Sequence, residues 1–168
     1  MTGIEAGQTP ARIARAEAET RRLGELLAPH LALGDVVALM GPLGAGKTCF
    51  VAGLAHGLGY GSRVRSPSFS LVNEYTGRIL LVHLDLYRLA AGEVESLGLE
   101  EYLERGALAV EWGERLPARW RGDALELSFE IVGQARRIRA TAQSGRGIEL
   151  CSALGAAFDL AKAEAEEP

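Results

Sequence analysis

The run Gly41-Pro42-Leu43-Gly44-Ala45-Gly46-Lys47-Thr48 constrains this chain more than any other feature. It matches G-x-x-x-x-G-K-[ST], and its flanks have the form such a loop requires. Val36 to Met40 reads as a buried strand, and residues 47–58, with Phe50, Leu54 and Leu58 on one side, read as a helix. The glycines let the backbone fold back with several N–H groups pointing inward at the positive end of that helix. Such an anion nest holds phosphates. Lys47 then reaches the outer phosphates as a point charge, and the Thr48 hydroxyl is placed to ligate Mg2+ beside the terminal one. The competing explanation is a chance match in a chain with 21 glycines among 168 residues. Four fixed positions between a strand and a helix argue against it.

A chain of this size can bury about 70% of its extended surface, enough for one domain without crosslinks. With 48% apolar and 24% charged residues it is not a disordered polymer. Its charge, 18 − 22 = −4, supplies no global attraction to nucleic acid or an anionic membrane. Cys49 and Cys151 form neither a disulfide framework nor a zinc site. Met1 to Gln8 has no cationic run leading into an apolar one, and no apolar run approaches the roughly 18 residues of a membrane span. A soluble, cytoplasmic protein is expected.

Leu23, Leu26, Leu27 and Leu31 predict an amphipathic helix over 18–31. Upstream two readings stay open: Thr9-Pro10 capping a longer helix, or a short edge strand around Ile13. Residues 63–70 read as a polar loop, 71–75 and 79–85 as strands, and 93–105 as a helix containing Gly98. Another strand follows over 107–112, then a closing pair over 125–132 and 137–142, and a last helix over 153–167 with a charged, frayed end. The expected fold is α/β: one P-loop NTPase-like domain of three layers, its mostly parallel mixed sheet closed by an antiparallel pair. It is expected to span 1–155, with the edge segment 1–17 open in assignment and 156–168 as a charged helix end or tail.

Two acids end predicted strands, Asp85 after Ile79-Leu80-Leu81-Val82-His83-Leu84 and Glu111 after Leu108-Ala109-Val110. Carboxyl ends of parallel strands line the crevice where ligands sit, and a P-loop needs a carboxylate for Mg2+ and a group that orients water. Either acid alone could equally cap a strand. Spacing does not decide which one holds the metal. Trp112 is either a ring beside the nucleotide or an ordinary buried tryptophan. Arg88 could touch phosphate or pair with an acid; His83, facing the same side as Asp85, could orient a neighbour or fill space. His56 reads as structural.

Further segments sharpen the picture: Val64-Arg65-Ser66-Pro67-Ser68-Phe69-Ser70-Leu71-Val72-Asn73-Glu74-Tyr75, His83-Leu84-Asp85-Leu86-Tyr87-Arg88-Leu89 and Glu111-Trp112-Gly113-Glu114. In order and spacing, together with the P-loop, they resemble the TsaE (YjeE) family, small P-loop ATPases of bacterial tRNA threonylcarbamoyladenosine biosynthesis. The resemblance implies ATP on Pro42, Leu43, Gly44, Ala45, Gly46, Lys47 and Thr48, with Thr20 on the base side. Cys49, which replaces a second threonine, could touch phosphate through its backbone N–H, and Trp112 keeps its two readings. It implies Mg2+ at Thr48 and Glu111, with Asp85 helping to position metal-bound or attacking water, and Lys47, Asp85 and Glu111 as the catalytic set. Ser66, Pro67, Ser68 and Phe69 correspond to a switch loop, with Ser68 in place of the usual threonine. Implied partners are a TsaD-like catalytic subunit and a TsaB-like paralogue, which modify adenosine 37 of tRNA, with ATP hydrolysis resetting the complex. Arg136 and Arg137 near the closing strands could touch the nucleotide, although a solvated strand is the default reading. A small-molecule kinase is one alternative, although the 93–105 segment lacks an arginine-rich lid. A nucleotide-gated binding module is another. A GTPase is disfavoured because no N-K-x-D segment occurs.

Overall fold

Successive residues of a strand face opposite sides of a sheet. In β2 (Val36–Met40), Val37 and Leu39 enter one buried cluster with Leu23, Phe50, Leu54 and Leu154. Val36 and Ala38 enter a second cluster with Val94, Leu99 and Leu116. β5 (Gly106–Glu111) repeats the split, Ala107 and Ala109 against Leu108 and Val110. A strand buried on both faces must read as a continuous apolar run, and these do. The computed structural model describes residues 7–166, so most of the start read for targeting signals and the final residues of the expected tail lie outside the described residues.

Among the described residues the sheet has seven strands. Besides β2 and β5 these are β1 (Arg12–Ala14), β3 (Val72–Thr76), β4 (Leu80–Asp85), β6 (Leu125–Val132) and β7 (Ala135–Thr141), in the order β1-β7-β6-β2-β5-β4-β3. The central β6, β2, β5 and β4 are parallel, and the strands on either flank are antiparallel. Helices α1 (Glu17–Leu27), α2 (Lys47–Gly57) and α6 (Gly145–Glu166) cover one face; α3 (Ala91–Glu95), α4 (Leu99–Arg105) and α5 (Ala118–Arg121) cover the other. This is the three-layer P-loop NTPase arrangement. The parallel registers bring the carboxyl ends of β2, β5 and β4 together, with Leu39 opposite Glu111 and Glu111 opposite Asp85.

Of the two open readings of the edge segment the strand around Ile13 holds: it is β1, paired with β7, and Thr9 exchanges hydrogen bonds with Ala140 instead of capping a helix. Other elements differ from the sequence reading. The expected helix over 93–105 is two helices, because Gly98 takes the left-handed conformation (φ +65) that no continuing helix tolerates. The last helix starts at Gly145, since Leu150 and Cys151 extend its buried face toward the N-terminus. It runs unbroken past residue 155, burying Ala157 and Phe158, and Glu164 near its end pairs with Arg22 at 2.7 Å.

α1 and α2 touch backbone to backbone. A Cβ on Gly53 would stand 2.0 Å from the Arg21 carbonyl oxygen, and one on Gly24 would stand 2.3 Å from that of Phe50. Gly53→Ala is expected to force the helices apart, costing about 1–3 kcal/mol. The melting midpoint should fall by roughly 2–12 °C, allowing about 2–4 °C per kcal/mol for a domain of this size. An unchanged thermal melt would show that the contact yields freely.

Candidate functional site

The P-loop leaves β2 and enters α2 through three glycines with positive φ: Gly41 (+142), Gly44 (+77) and Gly46 (+102). Side chains are disfavoured there, so the motif's glycines are conformational requirements. Lys47 is only 4% exposed. It donates to the Gly41 carbonyl and, at 3.1 Å, to that of Pro42, with its ammonium 4.3 Å from the Trp112 ring centre. Burial pulls the Lys47 ammonium below its ordinary value, and Glu111, Glu114 and Asp85 partly restore it.

Above the loop lies a carboxylate that accepts two hydrogen bonds. The Thr48 hydroxyl donates to Glu111 Oε1 at 2.6 Å, and His83 Nε2 lies 2.8 Å from the same oxygen. Burial raises the Glu111 carboxyl, but the His83 and Thr48 hydrogen bonds and the Lys47 charge outweigh it and hold the group below the usual carboxylate range. Asp85, its register partner, accepts from the Tyr87 amide at 2.9 Å. Glu111, Asp85 and His83 all project to the α2 side of the sheet, on the alternation that sends Ala107, Ala109 and Leu81 there.

A cavity of about 490 Å³ joins these groups. Leu43 to Cys49, Ser66, Ser68, Asp85, Glu111 and Trp112 line it, and so do Glu17 and Tyr87, to which the sequence reading gave no site role. Thr20 is buried beside it and lines a smaller cavity of about 80 Å³ with Glu17, Gly44, Gly46, Cys49 and Arg136. Pro42 contributes its carbonyl to Lys47, Pro67 is buried beneath its loop, and Phe69 is 88% exposed. A larger cavity, about 830 Å³, lies between residues 7–15 and α6 and contains none of the P-loop or the paired acids. The smaller, chemically convergent one is the candidate site.

Other side chains take definite places. Trp112 is half-buried, lines the cavity and also packs on Tyr87. It and Leu71 are the non-glycine residues of positive φ among the described residues (+59 and +70); Trp112 follows Glu111 directly, and Leu71 follows the loop that contains Ser66 and Ser68. Among the described residues Arg88 pairs with no acid and does not line the cavity: its guanidinium lies over Phe69, 4.6 Å from the ring centre. Arg136 is not a solvated strand residue, because Nε and Nη2 donate to the Gly44 carbonyl at 3.2 and 3.0 Å. Strand alternation could not reveal this, since the contact spans 92 residues. Arg137 pairs with Glu130 across the β6–β7 hairpin. Burial pushes the Cys49 thiol up, and its sulfur donates to the Glu17 carbonyl. His56, in the last turn of α2, has Nε2 3.1 Å from the Ser62 carbonyl oxygen in the loop that follows.

The family described as threonylcarbamoyl adenosine biosynthesis protein TsaE matches residues 14–140, which include every residue of this cavity. The chain belongs to the TsaE family. A tRNA threonylcarbamoyladenosine biosynthesis protein TsaE from Bacillus subtilis is 39% identical over 139 residues, covering 81% of this chain and 87% of the relative. The protein of that name from Nostoc is 53% identical over 104 residues, 58% of this chain. There the match spans 64% of the relative, so the chain covers just under two thirds of that TsaE's length. The crystal structure of Bacillus subtilis YdiB superposes with a TM-score of 0.73 at 35% identity, covering 89% of this chain and 95% of that one. No helix among the described residues is long and apolar enough to cross a membrane.

Proposed function

We propose that this TsaE-family chain is a Mg2+-dependent ATPase of the cytoplasm that serves formation of threonylcarbamoyladenosine at position 37 of tRNA. The observation that carries the reading is the Thr48 hydroxyl 2.6 Å from the buried Glu111 carboxylate, above a P-loop whose lysine shares the cavity. A hydroxyl and a carboxylate are hard oxygen donors of the kind Mg2+ takes, and Asp85 stands beside them at the end of the adjacent strand. Bound there, the metal would supply charge stabilisation to the β- and γ-phosphate oxygens.

The chain's own groups would do the rest. The P-loop amides and the α2 N-terminus bind phosphate; Lys47 leaves the Gly41 and Pro42 carbonyls and meets the charge developing on the γ-phosphoryl oxygens. Asp85 and Glu111 orient water at the cavity's sheet side, while Ser66 and Ser68 close its outer wall. Arg136 keeps the Gly44 carbonyl turned away from the phosphates, leaving the loop's amides for the anion. The partners of this reading are a TsaD-like catalytic subunit and its TsaB-like paralogue, with tRNA engaged through them and hydrolysis resetting the assembly. A chain of net charge −4 is suited to that indirect role.

Phosphate release from Mg2+-ATP, measured alone and then with those partners and tRNA, tests the proposal. Slow release alone and faster release in the complete mixture are expected. Turnover indifferent to every addition would remove the accessory role, and a phosphorylated small molecule in place of free phosphate would make the chain a kinase.

A further inference from the structure

Glu111 is tied to the switch segment by buried side chains that the roles above do not use. His83 Nε2 lies 2.8 Å from Glu111 Oε1, and His83 Nδ1 lies 3.1 Å from the Tyr75 hydroxyl. That hydroxyl reaches the Arg65 carbonyl oxygen at 3.0 Å. Arg65 immediately precedes Ser66, where the switch segment begins. His83 is fully buried and Tyr75 is 4% exposed, so bulk water does not compete for the bonds His83 makes to Glu111 and Tyr75, while the bond to the Arg65 carbonyl is part-buried. Asn73 secures the far end, its amide donating to the Arg65 carbonyl at 3.1 Å and its oxygen accepting from the Ser70 hydroxyl at 3.0 Å.

Tyr75 has one hydroxyl proton. When Nε2–H donates to Glu111, the neutral imidazole leaves Nδ1 as an acceptor, an assignment that follows from the hydrogen-bond pattern. The Tyr75 proton then has two acceptors within reach, Nδ1 of His83 and the Arg65 carbonyl, and can serve one fully. Any movement of the Glu111 carboxylate that carries His83 with it changes the balance between them.

We propose that His83 and Tyr75 are positioning residues that report the arrangement of Glu111 to the root of the switch segment. Filling the site draws Glu111 and His83 away from Tyr75; the Tyr75 hydroxyl then fastens the Arg65 carbonyl, and Ser66 to Leu71 are held in place. Emptying the site turns the Tyr75 hydroxyl's hydrogen bond back to His83 Nδ1 and leaves the Arg65 carbonyl to Asn73. Only hydrogen bonds are exchanged, with no covalent change. The inference rests on the reading that Mg2+ and a nucleotide occupy the cavity.

The test is hydrogen–deuterium exchange on the full chain with and without Mg2+ and a non-hydrolysable ATP analogue, in the natural protein, Tyr75→Phe and His83→Asn. Binding of the analogue is measured separately by titration, and folding by thermal melt. In the natural protein the amides from Ser68 to Leu71 should slow about fivefold or more on binding, the scale of a typical coupling between sites. Tyr75→Phe removes one oxygen and keeps the ring, so it should bind the analogue equally well and lose most of that slowing. His83→Asn, where folded, should be uncoupled in the same way. Equal slowing in Tyr75→Phe and the natural protein overturns the relay while leaving nucleotide binding intact, as does a natural protein that binds without any slowing. A natural protein that fails to bind the analogue overturns the nucleotide reading itself, and the relay with it.

Discussion

Glu111→Gln is expected to lower Mg2+-supported phosphate release roughly 10²–10³-fold, the usual loss when a group that stabilises developing charge is removed. The substitution keeps the shape of the side chain and deletes its charge. Phosphate release at saturating ATP measures the loss; retention of more than about a tenth of the natural rate would shift the essential carboxylate to Asp85. The same variant should reveal how the buried acid contributes to stability. Glu111 titrates below the usual carboxylate range in the folded chain, because its bonds to His83 and Thr48 and the Lys47 charge outweigh its burial. A carboxyl depressed by folding stabilises the fold above its unfolded value, and that contribution disappears as pH falls through the folded one. The natural protein should therefore be more stable than Glu111→Gln at neutral pH, and the difference should shrink in strong acid, where both side chains are neutral. Urea unfolding at the two pH values measures it.

Most of the site's chemistry was legible because it is local. The P-loop is a contiguous run whose glycines meet a backbone demand, and Asp85 and Glu111 announce themselves by ending apolar strands. The parallel strands followed from runs with no polar alternation, as in Val36 to Met40. What stayed hidden depends on contacts across the fold. The Arg136 guanidinium and the Gly44 carbonyl meet only because β6 and β7 fold back beside β2. The Tyr75–His83–Glu111 line needs the registers of β3, β4 and β5 together, which no spacing within one strand discloses. Gly98 shows the opposite failure. It was visible inside a helical pattern, yet only its left-handed backbone in the fold shows that the helix ends there. The surface ring of Phe69 was named for its segment, but its partner Arg88 follows from the folded loop and not from either residue's neighbours.

Lys47→Ala is expected to weaken nucleotide binding by about 10–100-fold, since a hydrogen bond to a charged group contributes about 1.5–3 kcal/mol. The decrease in turnover should be larger than the decrease in affinity, because the ammonium meets more charge in the transition state than in bound ATP. Folding should weaken by about 1–3 kcal/mol, because Lys47 is only 4% exposed and its loss removes the donor to the Gly41 and Pro42 carbonyls, so a thermal melt accompanies the binding measurement. Lys47→Arg should not restore function. A planar guanidinium is broader than an ammonium and cannot fit the same narrow place between two carbonyls and the Trp112 face. That face also supplies the readout. The ammonium sits 4.3 Å from the Trp112 ring centre, so drawing it toward phosphate removes a charge from beside the indole. Mg2+-ATP should change the Trp112 emission of the natural protein, and Trp120→Phe isolates that signal from the chain's other tryptophan. Lys47→Ala should begin with the emission already altered and respond little to the nucleotide. If emission responds equally in both proteins, Lys47 does not move when nucleotide binds, and its place over Trp112 is structural.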